Sequence, residues 1–186
     1  MKVTATLIPE VLVIEANVFS DERGFFYESF NQDDFNQATA LNVKFVQDNH
    51  CCSAKGVLRG LHYQVQRPQG KLVRVVRGTV FDVAVDIRQN SPTFGQWTGT
   101  ELTEENHKQV WIPAGFAHGF LVLSDNAHFL YKTTQYYAPE FERCIRWDDP
   151  TLAIAWPIEQ ITKQNCRLQL SAKDEKGYAF SHAEYL

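Results

Sequence analysis

Val80-Phe81-Asp82-Val83-Ala84-Val85-Asp86-Ile87 holds an alternation suited to an extended chain. Successive side chains of a strand point to opposite faces, so Phe81, Val83, Val85 and Ile87 share one face, while Asp82 and Asp86 share the other. The acidic face is expected to meet solvent or a wet cavity. Runs rich in β-branched and aromatic residues recur on either side, at Leu72 to Val76, Gln109 to Ile112, Phe120 to Leu123 and Phe129 to Thr133, with Gly, Pro, Asn or Asp between them. This spacing fits a mainly all-β fold, an antiparallel sandwich or barrel. An aromatic content of 13% beside a single Met also suits sheets and ligand pockets better than helical bundles. Helical signals are few: Asn31 to Ala40 has an Asn cap and room for about two to three turns, and Thr103 to Lys108 has room for about one. The tail from Thr151 to Leu186 reads as loop and short helix wrapping the barrel. No repeat, low-complexity run or linker divides the 186 residues, so 1–186 is expected to form one domain.

A formal net charge of −4 argues against a general nucleic-acid binder, whose binding face is basic, so any phosphate contact must come from a few local arginines. The cysteines Cys51, Cys52, Cys144 and Cys166 form no CxxC pair and no metal-type spacing with histidine, and no signal peptide precedes them. They read as inert thiols of a reducing cytoplasm. The longest apolar runs, such as Val11 to Ile14, fall far short of the roughly 20 residues of a membrane-spanning helix, so no membrane partner is expected.

The densest polar stretch is Lys55-Gly56-Val57-Leu58-Arg59-Gly60-Leu61-His62-Tyr63-Gln64, followed by Gln69-Gly70-Lys71-Leu72-Val73-Arg74 and, later, Ile112-Pro113-Ala114-Gly115-Phe116-Ala117-His118-Gly119-Phe120. Together these resemble the two motifs of the cupin barrel, a jelly roll with few short helices: a Gly followed after five residues by His-x-His and later a Glu, then Pro-x-Gly-x-x-His. The departures carry the chemistry. A metal-binding cupin uses both histidines of the first motif and the glutamate as ligands. Here Gln64 replaces the second histidine, and Lys71 stands seven positions before Gly78, where the glutamate belongs. An ammonium at a ligand position repels a divalent cation, yet it can stabilise an anion formed during a reaction. No metal is therefore expected. His50, His107, His128 and His182 lie outside these motifs and suggest no function.

Further runs complete the pattern: Val18-Phe19-Ser20-Asp21-Glu22-Arg23-Gly24-Phe25-Phe26-Tyr27-Glu28, Phe45-Val46-Gln47-Asp48-Asn49-His50, Leu130 to Glu140, and Arg146-Trp147-Asp148-Asp149-Pro150. With these the chain closely resembles the dTDP-4-dehydrorhamnose 3,5-epimerase family, from about Ile8 through Asp174. The resemblance implies a cofactor-independent isomerase acting on a dTDP-4-keto-6-deoxyhexose, inverting C3 and C5 through enolates on either side of the C4 ketone. Such a site needs a base of near-neutral pKa, an acid on the opposite face and a positive group near the C4 oxygen. By resemblance His62 is the base, Asp174 the carboxylate orienting it, Tyr131 the proton donor and Lys71 the positive group. Arg23 and Arg59 match diphosphate contacts, Tyr137 matches the residue stacked on thymine, and Glu28, Gln47, Asn49, His118, Glu142 and Lys173 match other substrate-binding positions. Strand alternation offers Asp82 as a partner for His118. Cys51 stands where the family has serine, and Cys144 where glycine is common.

The resemblance also implies a homodimer in which the segment with Arg23 and Glu28 reaches a neighbour's pocket. Three rival readings remain: an epimerase acting at C3 or C5 alone, a non-catalytic sugar-nucleotide-binding barrel, and a metal-dependent cupin oxygenase or isomerase. Pure binding has no need of an acid and a base kept together.

Overall fold

The computed structural model describes residues 1–186. In chain order its strands are β1 (Lys2–Ala5), β2 (Leu12–Glu15), β3 (Phe19–Asp21), β4 (Gly24–Phe26), β5 (Gln47–Ala54), β6 (Leu58–Gln64), β7 (Lys71–Arg77), β8 (Thr79–Asp86), β9 (Trp97–Thr103), β10 (Lys108–Ile112), β11 (Phe116–Val122), β12 (Asn126–Thr133) and β13 (Glu142–Cys144). Three short helices accompany them: α1 (Gln32–Thr39), α2 (Ile158–Thr162) and α3 (Ala172–Glu175). A six-stranded sheet in the order β1-β2-β10-β7-β12-β5 faces a five-stranded one in the order β13-β6-β11-β8-β9, and β3 and β4 form a separate hairpin. The strand pairs are antiparallel throughout, giving an all-β jelly-roll barrel. No helix is long and apolar enough to cross a membrane.

Both faces of β8 are covered, and this departs from the expectation of a wet acidic face. Val80 and Ala84 turn inward to a core shared by the two sheets, with Val73, Val75, Val110, Phe116, Phe120 and Phe129. Val83, Val85 and Ile87 turn outward, yet they are fully buried, because Leu152, Trp156, Ile161 and Phe180 of the tail lie over them. Each such aliphatic side chain contributes roughly 1.5–3 kcal/mol over its exposed state. Isolated bridges at Val57–Gln169 and Ile145–Tyr178 stitch the tail to the barrel. Of the two acids, Asp82 reaches the cavity only through His118, whose Nε2 lies 2.7 Å from its carboxylate. Asp86 is wholly buried instead, and its carboxylate accepts from Arg88 (2.7 and 2.9 Å), Ser91 (2.5 Å) and Thr93 (2.6 Å). Local donors, rather than water, satisfy that charge.

Helix α1 forms where the Asn cap predicts. Asn31 Oδ1 accepts from the backbone N–H groups of Asp33 (3.0 Å) and Asp34 (3.3 Å), and both acids sit in the first turn, where the helix dipole favours them. The helix buries Phe35 against Trp111, Ile14 and Leu72 on the outer face of the six-stranded sheet. Asn31→Ala is expected to lower stability by about 1 kcal/mol, a drop of about 2–4 °C in melting temperature. A thermal melt matching that of the wild type would show that the cap contributes nothing.

The expected helical turn from Thr103 to Lys108 is instead the reversal between β9 and β10. Asn106 Oδ1 accepts from the N–H groups of Thr103 (3.2 Å) and Lys108 (3.0 Å), and His107 takes a left-handed φ of 49°. A side chain that satisfies its own turn in this way competes with helix formation.

Candidate active site

A break in register creates the site. On β6 and β11, His62 pairs with His118, but Arg59 pairs with Phe120, so β6 carries one extra residue between them. Simple alternation would put Arg59 and His62 on opposite faces. The irregularity turns both toward one cavity while Leu58, Leu61 and Tyr63 stay in the outer core. Gly60 and Gly119 permit it. Gly60 has φ +122°, and a Cβ there would come within 2.6 Å of Gly119 Cα, while a Cβ on Gly119 would come within 2.6 Å of Arg59 O.

The cavity, of about 290 Å³, opens between the two sheets and brings together His62, Lys71, Tyr131, His118, Arg59, Asn49, Tyr137 and Glu142. Cys51, Phe120 and Phe129 supply its apolar wall. Behind His62, Asp174 Oδ1 lies 2.8 Å from Nε2 and also accepts from the Gly60 N–H at 3.0 Å. Its other oxygen accepts from Ser171 Oγ at 2.6 Å, within a capping box that opens α3. Burial tends to raise the Asp174 pKa, but the hydrogen bonds from His62, Ser171 and Gly60 outweigh it and hold the carboxyl far below its usual value. Asp174 thus lies beside His62, the residue that the resemblance implied it orients, and the Ser171-x-x-Asp174 capping box fixes it there.

Because the folded pKa of Asp174 lies below its unfolded value of about 3.9, the charge stabilises the fold above about pH 4, and that contribution fades as pH falls below it. Asp174→Asn should therefore be less stable than wild type at pH 7, by about 1–3 kcal/mol. The gap should narrow at pH 3. Melting curves at both pH values test this, and an equal gap would mean that shape rather than charge matters at this position.

Lys71 is buried at the cavity floor, its Nζ 3.4 Å from the His62 carbonyl. Burial lowers its pKa to about 8, although Asp82 and Glu142 pull it the other way. His118 lies beside it with Nε2 2.7 Å from Asp82 Oδ2, the pairing that strand alternation suggested. Burial lowers the His118 pKa against the pull of Asp82. Tyr131 is half-buried, and burial raises its phenol pKa, so it stays protonated at neutral pH.

Glu142 governs the rim. Its Oε1 lies 3.3 Å from His62 Nδ1, and its Oε2 accepts from the Tyr137 hydroxyl at 2.6 Å and pairs with Lys173. Burial opposes ionisation, but Lys173 and Tyr137 outweigh it and hold the Glu142 pKa down. Gln47 accepts from the Tyr137 N–H at 3.0 Å and donates to Asn49 at 2.9 Å, while the buried Asn49 Nδ2 has no partner. Arg59 donates to Ser53 Oγ at 3.1 Å. Gln64, in the slot of the missing histidine, accepts from the Ala138 N–H at 2.9 Å and donates to Arg67 O at 2.9 Å, anchoring the segment that carries Tyr137. Arg23 and Glu28 lie elsewhere. Arg23 is exposed on the β3–β4 hairpin, paired with Asp21 at 3.0 Å, and neither residue lines this chain's own cavity.

The donor set also bears on a metal. Asp174 and Asp82 engage Nε2 of His62 and His118, and the cavity that these rings line also holds the Lys71 ammonium, whose charge repels a cation. His62, Cys144 and Asp174 bring donor atoms within 4.8 Å of one another, but the Asp174 oxygens already serve Gly60, His62 and Ser171.

A sequence profile described as dTDP-4-dehydrorhamnose 3,5-epimerase matches residues 5–182. The chain belongs to the dTDP-4-dehydrorhamnose 3,5-epimerase family. It is an enzyme of the isomerase class. A family member from Pseudomonas aeruginosa is 58% identical over 99% of this chain and 98% of its own length. The crystal structure of a Legionella pneumophila family enzyme, determined with dTDP-4-keto-L-rhamnose, superposes with a TM-score of 0.93 at 52% identity, covering 98% of this chain and 94% of that one. A 3'-monoepimerase from Streptomyces bikiniensis, in complex with dTDP-quinovose, superposes at 0.85 with 34% identity, covering 95% and 87% of the two chains.

Proposed function

We propose that this cavity inverts C3 and C5 of dTDP-4-dehydro-6-deoxy-D-glucose, giving dTDP-4-dehydro-L-rhamnose for dTDP-rhamnose biosynthesis. The observation that carries the reading is a histidine braced by a buried carboxylate, in one cavity with a buried ammonium and a protonated tyrosine. His62 removes the proton from the carbon beside the ketone, and the electron pair of that C–H bond moves onto the C4 oxygen. Lys71 stabilises the resulting enolate, since a fixed cation in a dry site is worth more than one in water. Tyr131 returns a proton to the opposite face as the enolate collapses, and solvent restores both residues. Asp174 holds the imidazole and stabilises its protonated form.

Arg59, Gln47, Asn49, His118, Tyr137, Glu142 and Lys173 are assigned to the nucleotide and sugar. Arg23 and Glu28 are assigned to a neighbour's cavity in a homodimer. Exposed Phe19, Phe25 and Phe26 on the same hairpin support this, since a partner would cover them. Residues 1–186 are taken as one domain, with the tail as part of it, and four free cysteines fit a reducing cytoplasm.

Proton NMR of the product, read through its ring coupling constants, tests the assignment. Inversion at both carbons is expected; inversion at one alone would make this a single-centre epimerase, as the Streptomyces neighbour is named. Tyr131→Phe should slow epimerisation by about 10²-fold or more while sparing isotope exchange at the carbon it serves. Equal loss of both would remove Tyr131 as the donor.

A further inference from the structure

Two carboxylates flank the imidazole of His62, and their surroundings differ. Asp174 lies 2.8 Å from Nε2, and donors occupy both its oxygens: the ring and the Gly60 N–H on Oδ1, Ser171 on Oδ2. It holds the ring in place. Glu142 faces the other nitrogen, with Oε1 3.3 Å from Nδ1. That nitrogen is buried and makes no hydrogen bond. Glu142 lines the catalytic cavity and also a groove of about 590 Å³ on the other side of the rim, and it is the residue common to the two. The exposed Lys173, Lys176, His182 and Glu184 border that groove, so it is wet. We propose that Glu142 is a proton relay, carrying each proton taken up by His62 out to solvent while the substrate fills the cavity.

The relay rests on His62 being the base at both carbons, and it supplies a step that the reaction then needs. Each abstraction leaves a proton on Nδ1, and the imidazole accepts no second one until it has lost the first. A sugar nucleotide seated in the cavity covers that side of the ring. The Glu142 side remains. There the Nδ1–H bond breaks as an O–H bond forms on Oε1, and the carboxylic acid then gives its proton to water in the groove. The two atoms need to approach by only a few tenths of an ångström to hydrogen-bond. The electrostatics suit a carrier rather than a store. Burial opposes ionisation of Glu142, but Lys173 and the Tyr137 hydroxyl outweigh it and hold its pKa below the usual value, so a proton received is soon released. Both of these partners sit on Oε2, which leaves Oε1 to the ring.

Single turnover in heavy water, with enzyme in excess over the 4-keto sugar nucleotide, tests the relay. Glu142→Met fills the same space without an ionisable group. It should take up deuterium at one ring carbon at close to the wild-type rate and at the other at least about 10-fold more slowly, because the second abstraction waits for the base to be restored. Glu142→Ala should show the same delay, and added formate, a small carboxylate that fits the vacated space, should shorten it. If the wild type inverts one carbon alone, the reading of a double inversion fails but the relay does not. Glu142→Met under repeated turnover should then give a burst of one product per site before a slow steady state. Equal slowing at both carbons in Glu142→Met, or no burst in the single-inversion case, would overturn the relay and leave His62 as the base. A Glu142→Ala enzyme indifferent to formate would do the same.

Discussion

His62→Ala is expected to lose about 10²–10⁴-fold in kcat, the usual contribution of a positioned general base. The substrate's affinity should change little, because the proposed phosphate and nucleoside contacts are assigned to other side chains. The decisive readout is isotopic. In heavy water the variant should fail to take up deuterium at both C3 and C5, since His62, braced by Asp174, is the base proposed for both carbons in the cavity that holds Lys71 and Tyr131. Undiminished exchange at either carbon would mean that another group removes the proton there. Asp174 sharpens the test, because its carboxylate engages Nε2 and leaves Nδ1, next to Glu142, as the nitrogen free to turn toward a ligand.

Lys71→Met should cost about 10²–10³-fold in kcat, comparable to removing one preorganised donor to a developing oxyanion. Methionine retains the length and apolar body of the lysine without its charge, so the buried site should remain filled. The sign of the pH effect follows from the lowered pKa. Lys71 is cationic below about 8 and neutral above it, so wild-type turnover should fall as pH rises through that value. The low residual activity of Lys71→Met should lack this alkaline limb. A variant that kept both the limb and the rate would take the ammonium out of the reaction.

Much of this was legible in the sequence, for particular reasons. The strands and α1 announced themselves through alternation and an Asn cap, because those signals are local. The relation of His62 to Lys71 followed from motif spacing, since positions on neighbouring strands are fixed once the barrel is recognised. What escaped depended on distant packing. The apolar face of β8 was legible but not what covers it, because the tail that buries it is more than sixty residues away in sequence. Asp86 was read toward water because its satisfying donors, Arg88, Ser91 and Thr93, lie in a loop whose shape no periodicity reveals. The extra residue on β6 that turns Arg59 and His62 to one side is likewise invisible until β11 is paired with it.

The central claim is that a buried ammonium, rather than a bound metal, carries the negative charge while the ring proton is away. Proton NMR of the 4-keto substrate in heavy water, with a chelator present throughout, tests it most directly. Deuterium should enter both C3 and C5 of the epimerised product at a rate unaffected by the chelator. Exchange that stops when metal is sequestered and returns when it is restored would contradict the account.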